Sequence, residues 1–419
     1  MSDRTPRSER LHIAIFGRRN AGKSSLINAL TNQDIALVSD VPGTTTDPVY
    51  KAMEILPLGP VVIIDTAGID DVGSLGELRV QRTLSVMRRT DLALLVVDAT
   101  ARADTQVSDG QALAYEQGIV EQLRARQTPA LGVLNKIDLV PPEQVRELQE
   151  RLSRHLNVPF LAVSSLTRDG VDALKMEIVR LAPADWAAPS IVGDLLNPGD
   201  VAVLVVPIDL AAPKGRLILP QVQTLRDILD HDACGVIVKE RELRYMLDSL
   251  ARRPRIVITD SQVFAKVSAD TPRDVWLTSF SILFARYKGD LPELVRGAKA
   301  IDDLEPGDRV LIAEACTHHP VADDIGRVKI PRWLRQRVGG ELEAEVRSGL
   351  DFPPDLQRYR LIVHCGGCMI NRREMLYRIM QARQAGIPIV NYGVAIAYLH
   401  GILPRVLEPF PAALLALEE

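Results

Sequence analysis

The stretch Gly17-Arg-Arg-Asn-Ala-Gly22-Lys23-Ser24 does most to limit what this chain can fold into. It fits G-x-x-x-x-G-K-S, with a β-rich run, His12–Phe16, before it and an amphipathic segment after it. Glycines in such a loop let backbone N–H groups wrap a phosphate, and the following helix turns the positive end of its dipole to the same place. Gly17, Asn20, Ala21, Gly22, Lys23, Ser24 and Ser25 are the candidate phosphate contacts. Lys23 is placed to reach the β and γ phosphates, and the Ser24 hydroxyl to bind magnesium.

The flanking pattern extends this loop into a domain. Strand candidates His12–Phe16, Val61–Asp65, Leu92–Asp98, Ala130–Asn135 and Phe160–Val163 alternate with amphipathic segments. That alternation predicts an α/β fold, a mostly parallel sheet with helices on both faces. The strand ends carry the chemistry. Asp65-Thr66-Ala67-Gly68 offers a carboxylate that holds Mg2+ through water, and a Gly68 N–H for the γ-phosphate. Asn135-Lys136-Ile137-Asp138 offers a carboxylate, Asp138, that accepts from both N1–H and N2–H of guanine. Adenine has no such pair of donors, so the expected ligand is GTP or GDP. Ser164-Ser165-Leu166 presents a backbone N–H to guanine O6. Pro42-Gly43-Thr44-Thr45-Thr46-Asp47 reads as a switch loop in which Thr45 completes the magnesium shell when a γ-phosphate is present. Lys23, Thr45 and Gly68 form the catalytic set, while Arg18 and Arg19 read as solvated loop charges.

These motifs resemble those of the Era and TrmE type of GTPase, which share N-A-G-K-S and G-T-T-x-D. The resemblance implies that Asn20 helps bind a potassium ion (K+) standing in for an arginine finger. Ile69 follows Gly68 where Ras-like enzymes place a water-orienting Gln, which implies slow hydrolysis until a cation or partner completes the site.

A length of 419 residues suggests three domains. The Pro-, Ala- and Trp-containing stretch 183–198 reads as a linker, giving expected domains 1–182 (GTPase), 183–268 and 269–419. The last two are expected to be smaller α/β domains, with strands near Val201–Val206, Gly235–Val238, Arg255–Thr259, Arg309–Ala313, Arg360–Val363 and Ile387–Asn391. Formal net charge is −4 and no basic tract stands out, so nucleic acid is not the expected partner. The N-terminus lacks the apolar core of a signal peptide, and no apolar run is long enough to span a bilayer. Four cysteines in this length argue against a disulfide scaffold and for a reducing compartment. A cytoplasmic protein without a membrane partner is the expectation.

Three of those cysteines gather in two clusters, Cys316-Thr-His318-His319 and His364-Cys365-Gly-Gly-Cys368, each following a strand candidate. C-x-x-C lets two thiolates reach one metal centre. Three thiolates and a histidine suit either tetrahedral zinc or an iron–sulfur cluster with one unusual position, and spacing alone favours zinc. Cys234 reads as a small buried hydrophobe.

A G domain of this type, a middle domain and then C-x-H … H-C-x-x-C together resemble the maturation GTPase of iron-only (FeFe) hydrogenases, the HydF type. The matching residues are Cys316, His318, His364, Cys365 and Cys368, with a short gap of 45 residues between the histidines. Thr278-Ser-Phe-Ser-Ile-Leu-Phe-Ala-Arg-Tyr-Lys fits as well, so the resemblance covers essentially the whole chain. It implies a 4Fe-4S cluster on Cys316, Cys365 and Cys368, with a labile fourth position open to a histidine, another side chain, water or the cargo. It further implies a homo-dimer or tetramer that receives a diiron precursor from two radical-SAM maturases and passes it to apo FeFe-hydrogenase, with GTP turnover gating partner exchange. The alternative is an RNA-acting GTPase of the Era or TrmE kind with structural zinc. The negative charge, the lack of a G-x-x-G clamp among basic residues and the Ala-Leu-Leu-Ala-Leu-Glu-Glu ending argue against it.

Overall fold

The computed structural model describes residues 7–31, 49–55, 59–66, 83–103, 113–183, 190–207, 217–315, 324–349 and 351–419. The chain divides into two compact units, Met1–Ala187 and Ala188–Glu419.

In the first unit, β1 (Leu11–Gly17), β2 (Val49–Ile55), β3 (Gly59–Asp65), β4 (Leu92–Asp98), β5 (Ala130–Asn135) and β6 (Phe160–Val163) form one sheet. Its order is β2-β3-β1-β4-β5-β6, parallel except for β2 against β3. β1 is buried throughout, and β4 is buried at all but its last residue. Strands covered on both faces become continuous apolar runs. Alternate residues then serve opposite cores: Ile13, Ile15, Leu94 and Val96 on one face, Ala14, Phe16, Leu95 and Val97 on the other. Helices α1 (Lys23–Thr31) and α4 (Val171–Leu181) supply Leu26, Ile27, Leu174 and Ile178 to the first core. Helices α2 (Ala114–Ala125) and α3 (Pro142–Leu156) supply Ile119, Leu123, Leu148 and Leu152 to the second. Helix α3 shows why such segments fold as they do. Val145, Leu148, Leu152 and Leu156 make one buried stripe, Pro142 opens the helix, and Asn157 ends it in the left-handed region at φ 49.

The second unit holds two four-stranded parallel sheets. The first contains β7 (Val201–Val205), β8 (Cys234–Val238), β9 (Ile256–Thr259) and β10 (Trp276–Ser279), in the order β10-β9-β7-β8. The second contains β11 (Arg309–Glu314), β12 (Glu343–Ser348), β13 (Leu361–His364) and β14 (Ile389–Asn391), in the order β12-β11-β13-β14. A single core joins them, with Leu204 and Ile258 from one sheet, Ile312 and Val363 from the other, and Phe280 and Phe284 between. Those phenylalanines lie on α6 (Phe280–Lys288), which follows β10 directly and is capped by the Ser279 hydroxyl accepting from Ile282 N–H at 3.2 Å. The other principal helices are α5 (Leu219–Asp230), α7 (Leu291–Lys299), α8 (Arg372–Gln384) and α9 (Tyr392–Leu399).

Cys234 corrects its sequence reading. It opens β8, the edge strand of its sheet, and is exposed. Among the described residues no helix is long and apolar enough to cross a membrane.

Candidate functional site

The loop after β1 is shaped by contacts that only glycine permits. A Cβ on Gly17 would stand 2.3 Å from the Val96 carbonyl oxygen of the neighbouring strand. Gly22, at φ +89, would place one 2.2 Å from Asn135 Nδ2. The chain therefore passes tightly over β4 and β5 before α1 begins. Asn20 takes the left-handed conformation at φ 61 and is exposed, Ala21 is buried, and Ser25 is half-buried. Buried Lys23 folds back and donates from Nζ to the Gly17 and Arg18 carbonyls at 2.6 and 2.7 Å. Ser24 Oγ donates to Asp65 Oδ2 at 3.1 Å, so the two expected magnesium-side groups meet. Burial pushes the Asp65 carboxyl above the usual aspartate range, against the pull of Lys23 and the Ser24 hydrogen bond. A divalent cation placed there would reverse that balance. Thr45 and Gly68 lie outside the described residues.

Asn135 joins the phosphate loop to the base side. Its Nδ2 donates to the Ala21 carbonyl at 3.0 Å, and its Oδ1 accepts from Ser165 N–H at 3.1 Å and Ser165 Oγ at 2.8 Å. Lys136 donates to Asp98 Oδ2 at 2.6 Å. Burial raises the Asp98 pKa, yet hydrogen bonds from Lys136 and Thr100 hold it below the ordinary range overall. Asp138 and Leu166 are exposed, Leu166 at 83%, and Ser164 is fully buried with its N–H on the Asp169 carbonyl. Three motifs far apart in sequence thus surround one cradle, with Asp138 and the Leu166 backbone at its open side.

Arg18 departs from its reading as a solvated charge. Its guanidinium makes a two-pronged pair with Glu116, at 2.9 and 3.1 Å, and lies 5.7 Å from the centre of the Tyr115 ring. Glu116 is 1% exposed. Nothing in the P-loop pattern points to this partner, because a lone Glu in an amphipathic stretch reads as a surface charge.

In the second unit the Cys365 loop leaves β13 with its N–H on the Ala313 carbonyl, at 2.9 Å. Cys365 Sγ accepts from Ala315 N–H at 3.0 Å and Gly367 N–H at 3.4 Å. Burial is the main push that raises this thiol to about 11, with the two N–H groups pulling against it and neighbouring Cys368 adding to the rise. His364 is fully buried. Its Nδ1 lies 2.7 Å from the Cys365 carbonyl, which only accepts, and its Nε2 lies 3.1 Å from Arg378 Nη1, which only donates. The ring is therefore the neutral Nδ1–H tautomer, and burial together with Arg378 lowers its pKa to about 3. In this arrangement neither nitrogen is available to a metal. Arg378, itself 1% exposed, also pairs with Glu374 at 3.0 Å and donates to the Gly349 carbonyl at 2.9 Å. Among the described residues no three His, Cys, Asp or Glu side chains gather as a metal site. Cys316 and His318 lie outside those residues.

Three family models match this chain. Residues 12–159 match the 50S ribosome-binding GTPase family. Residues 191–289 match the Hydrogen maturase F dimerization domain, and 292–409 the Hydrogen maturase F tetramerization domain. The last two together take in more than half of the chain. The chain belongs to the HydF-type hydrogenase maturation GTPases.

Its first unit is a GTPase domain of the Era and TrmE type, and the chain spans well under half the length of the MnmE and Der relatives it matches. The tRNA modification GTPase MnmE of Chromobacterium violaceum is 37% identical over 174 residues, which are 41% of this chain and 35% of the relative. GTPase Der of Deinococcus deserti is 34% identical over 177 residues, 41% of this chain and 38% of the relative. Among solved structures, Aquifex aeolicus Era bound to GDP.AlF4- aligns at TM-score 0.35 and 18% identity, over 54% of this chain and 93% of that one. Era with MgGDPNP and a 16S ribosomal RNA segment aligns at 0.36 and 20%, over 64% and 92%. In the HydF frame, the dimerization match ends one residue after α6 and the tetramerization match begins within α7. The cysteine loop of β13 lies inside the tetramerization match.

Proposed function

We propose that this chain is a GTP-hydrolysing scaffold that carries a 4Fe-4S cluster on Cys316, Cys365 and Cys368 and delivers a diiron precursor to apo FeFe-hydrogenase. The observation that carries the reading is the Cys365 sulfur. It accepts two backbone N–H bonds, from Ala315 and Gly367, and Ala315 immediately precedes Cys316 in the chain. Backbone N–H groups aimed at a sulfur stabilise a thiolate ligand and tune the metal it holds. The cluster supplies an iron position with fewer protein ligands than a purely structural centre has. The chain supplies three cysteine sulfurs and the two N–H bonds at Cys365.

In the first unit, Lys23 meets the β and γ phosphates, Ser24 and Asp65 hold magnesium with Thr45, Gly68 meets the γ-phosphate, and Asp138 selects guanine. Asn20, exposed at the mouth of the loop, takes potassium. The protein acts as a dimer or tetramer in the cytoplasm and exchanges two radical-SAM maturases for the client hydrogenase.

The test is iron, sulfide and zinc content, with an EPR spectrum, on anaerobically purified and reconstituted protein. About four irons per chain and a reducible signal, lost in Cys365→Ser, support the scaffold. One zinc and no sulfide overturn it and favour an RNA-acting GTPase with a structural zinc site.

A further inference from the structure

The motif Thr278–Lys288 has no role in nucleotide binding and contributes no cysteine, yet its helix, α6, is buried along most of its length. Three of its polar side chains reach other parts of the second unit. Ser281 Oγ accepts from Gly393 N–H at 3.0 Å and from Asn391 Nδ2 at 3.2 Å. Arg286 donates to Asp194 Oδ1 at 2.9 Å. At the far end lies Lys288, 2% exposed, donating from Nζ to the Cys368 carbonyl at 3.2 Å and the Ile370 carbonyl at 2.9 Å. The tie is returned from the other side, since Arg372 Nη1 donates to the Tyr287 carbonyl at 2.7 Å.

A lysine is rarely this buried, because its ammonium must replace strong hydration with protein oxygen. Here those oxygens belong to the turn that follows the second cysteine of C-x-x-C. The stem leads back along α6 to β10, a strand of the dimerization match. We propose that Lys288 is a positioning residue for the cysteine loop, holding the Cys368 end of C-x-x-C at a fixed distance from α6. The proposal deepens the scaffold reading and rests on it for the identity of the cargo, though not for the geometry.

Two full-length variants separate the possibilities. Lys288→Met keeps the aliphatic stem and removes the donor, whereas Lys288→Gln keeps a neutral donor. The first readout uses metal-free, reduced protein: the alkylation rate of each thiol with iodoacetamide, read by mass spectrometry against exposed Cys234 as the internal standard. Cys368 should react at least about fivefold faster in Lys288→Met, with Lys288→Gln between it and the parent. The second readout is iron loss from reconstituted protein to a chelator, expected to accelerate about tenfold in Lys288→Met, the low end for a residue supporting a metal ligand. A cooperative thermal melt of the second unit reports that both variants are folded there, and GTP turnover, a property of the other unit, should stay at the parent rate. Parent-like alkylation in both variants overturns the proposal and leaves Lys288 as a buried spacer. Faster alkylation in a chain that takes up no iron upholds the positioning role while removing the cluster reading.

Discussion

At the nucleotide site, the side chains that hold the loop in place are themselves motif residues. Asn135 ties Ala21 to Ser165, Lys23 folds onto Gly17 and Arg18, and Ser24 meets Asp65. At the cysteine loop the holding is done from outside the motif. Arg378 fixes the His364 ring from α8, and Lys288 fixes the turn after Cys368 from α6. The first site is built of short-range elements repeated at strand ends, so its supports recur whenever its ligand contacts do. The second is supported by single long side chains reaching in from helices. A change of support at the nucleotide site therefore falls on a motif residue, while at the cysteine loop support can be altered without touching the motif.

The largest expected effect tests whether the two sites are independent. Cys365→Ser should abolish cluster retention and leave GTP turnover within about twofold of the parent. Anaerobic iron analysis alongside phosphate release checks both halves, and a collapse of GTPase activity would end the separation drawn here.

Next is the buried Arg378–Glu374 pair, whose partners are 1% and 2% exposed at the side chain. Removing one member leaves a charge with no counterion in an apolar surround, which costs about 3–5 kcal/mol. Arg378→Met should lower the melting temperature of the second unit by about 10 °C, at about 2–4 °C per kcal/mol for a unit of this size. It should also free the His364 ring from its single orientation, visible as a second set of imidazole resonances. A change under about 2 °C would mean that water reaches Glu374 and the network does not stiffen the loop.

The sequence carried the first site and half of the second, and the reason lies in how each residue announces itself. Strands such as Leu92–Asp98 are legible because both faces are covered and the whole run is apolar. β2 and β12 are less legible because each is an edge strand whose apolar run is broken by charges, Lys51 and Glu54 in one and Glu343, Glu345 and Arg347 in the other; Glu343–Ser348 is held partly by charge, with Arg309 meeting Glu343. The cysteines are visible as C-x-x-C, but a buried arginine or lysine looks like any solvated helix charge until its partners are known. Arg18, Lys288 and Arg378 share that illegibility. His364 is the converse: its place beside Cys365 suggests a ligand, while the fold engages both its nitrogens elsewhere.

Within the nucleotide site, Asp138→Asn should weaken GTP binding by about 100-fold. Two hydrogen bonds to a charged acceptor become one acceptor and one misplaced donor, a loss of about 3 kcal/mol. Titration with GTP and ATP checks it, and unchanged GTP affinity would remove Asp138 from the guanine site. The corresponding support-only change is Asn135→Ala, which should weaken GTP and ATP alike, because it loosens the cradle rather than the base contact.

The smallest expected effect concerns Arg18, which sits at an unspecified position of the phosphate-loop motif. Arg18 resembles Arg378 in gripping a buried glutamate, but its side chain is 43% exposed, where Arg378 is 1% exposed. Water can take over part of what Arg18 provides, so Arg18→Ala should destabilise the first unit by only about 1 kcal/mol. GTP turnover should then stay within about threefold of the parent, since Lys23 and the backbone still meet the phosphates. If turnover instead falls more than about tenfold with the melting temperature unchanged, the Glu116 pair is a resting place for a phosphate-binding arginine. The nucleotide site would then share with the cysteine loop a dependence on a residue that no motif names.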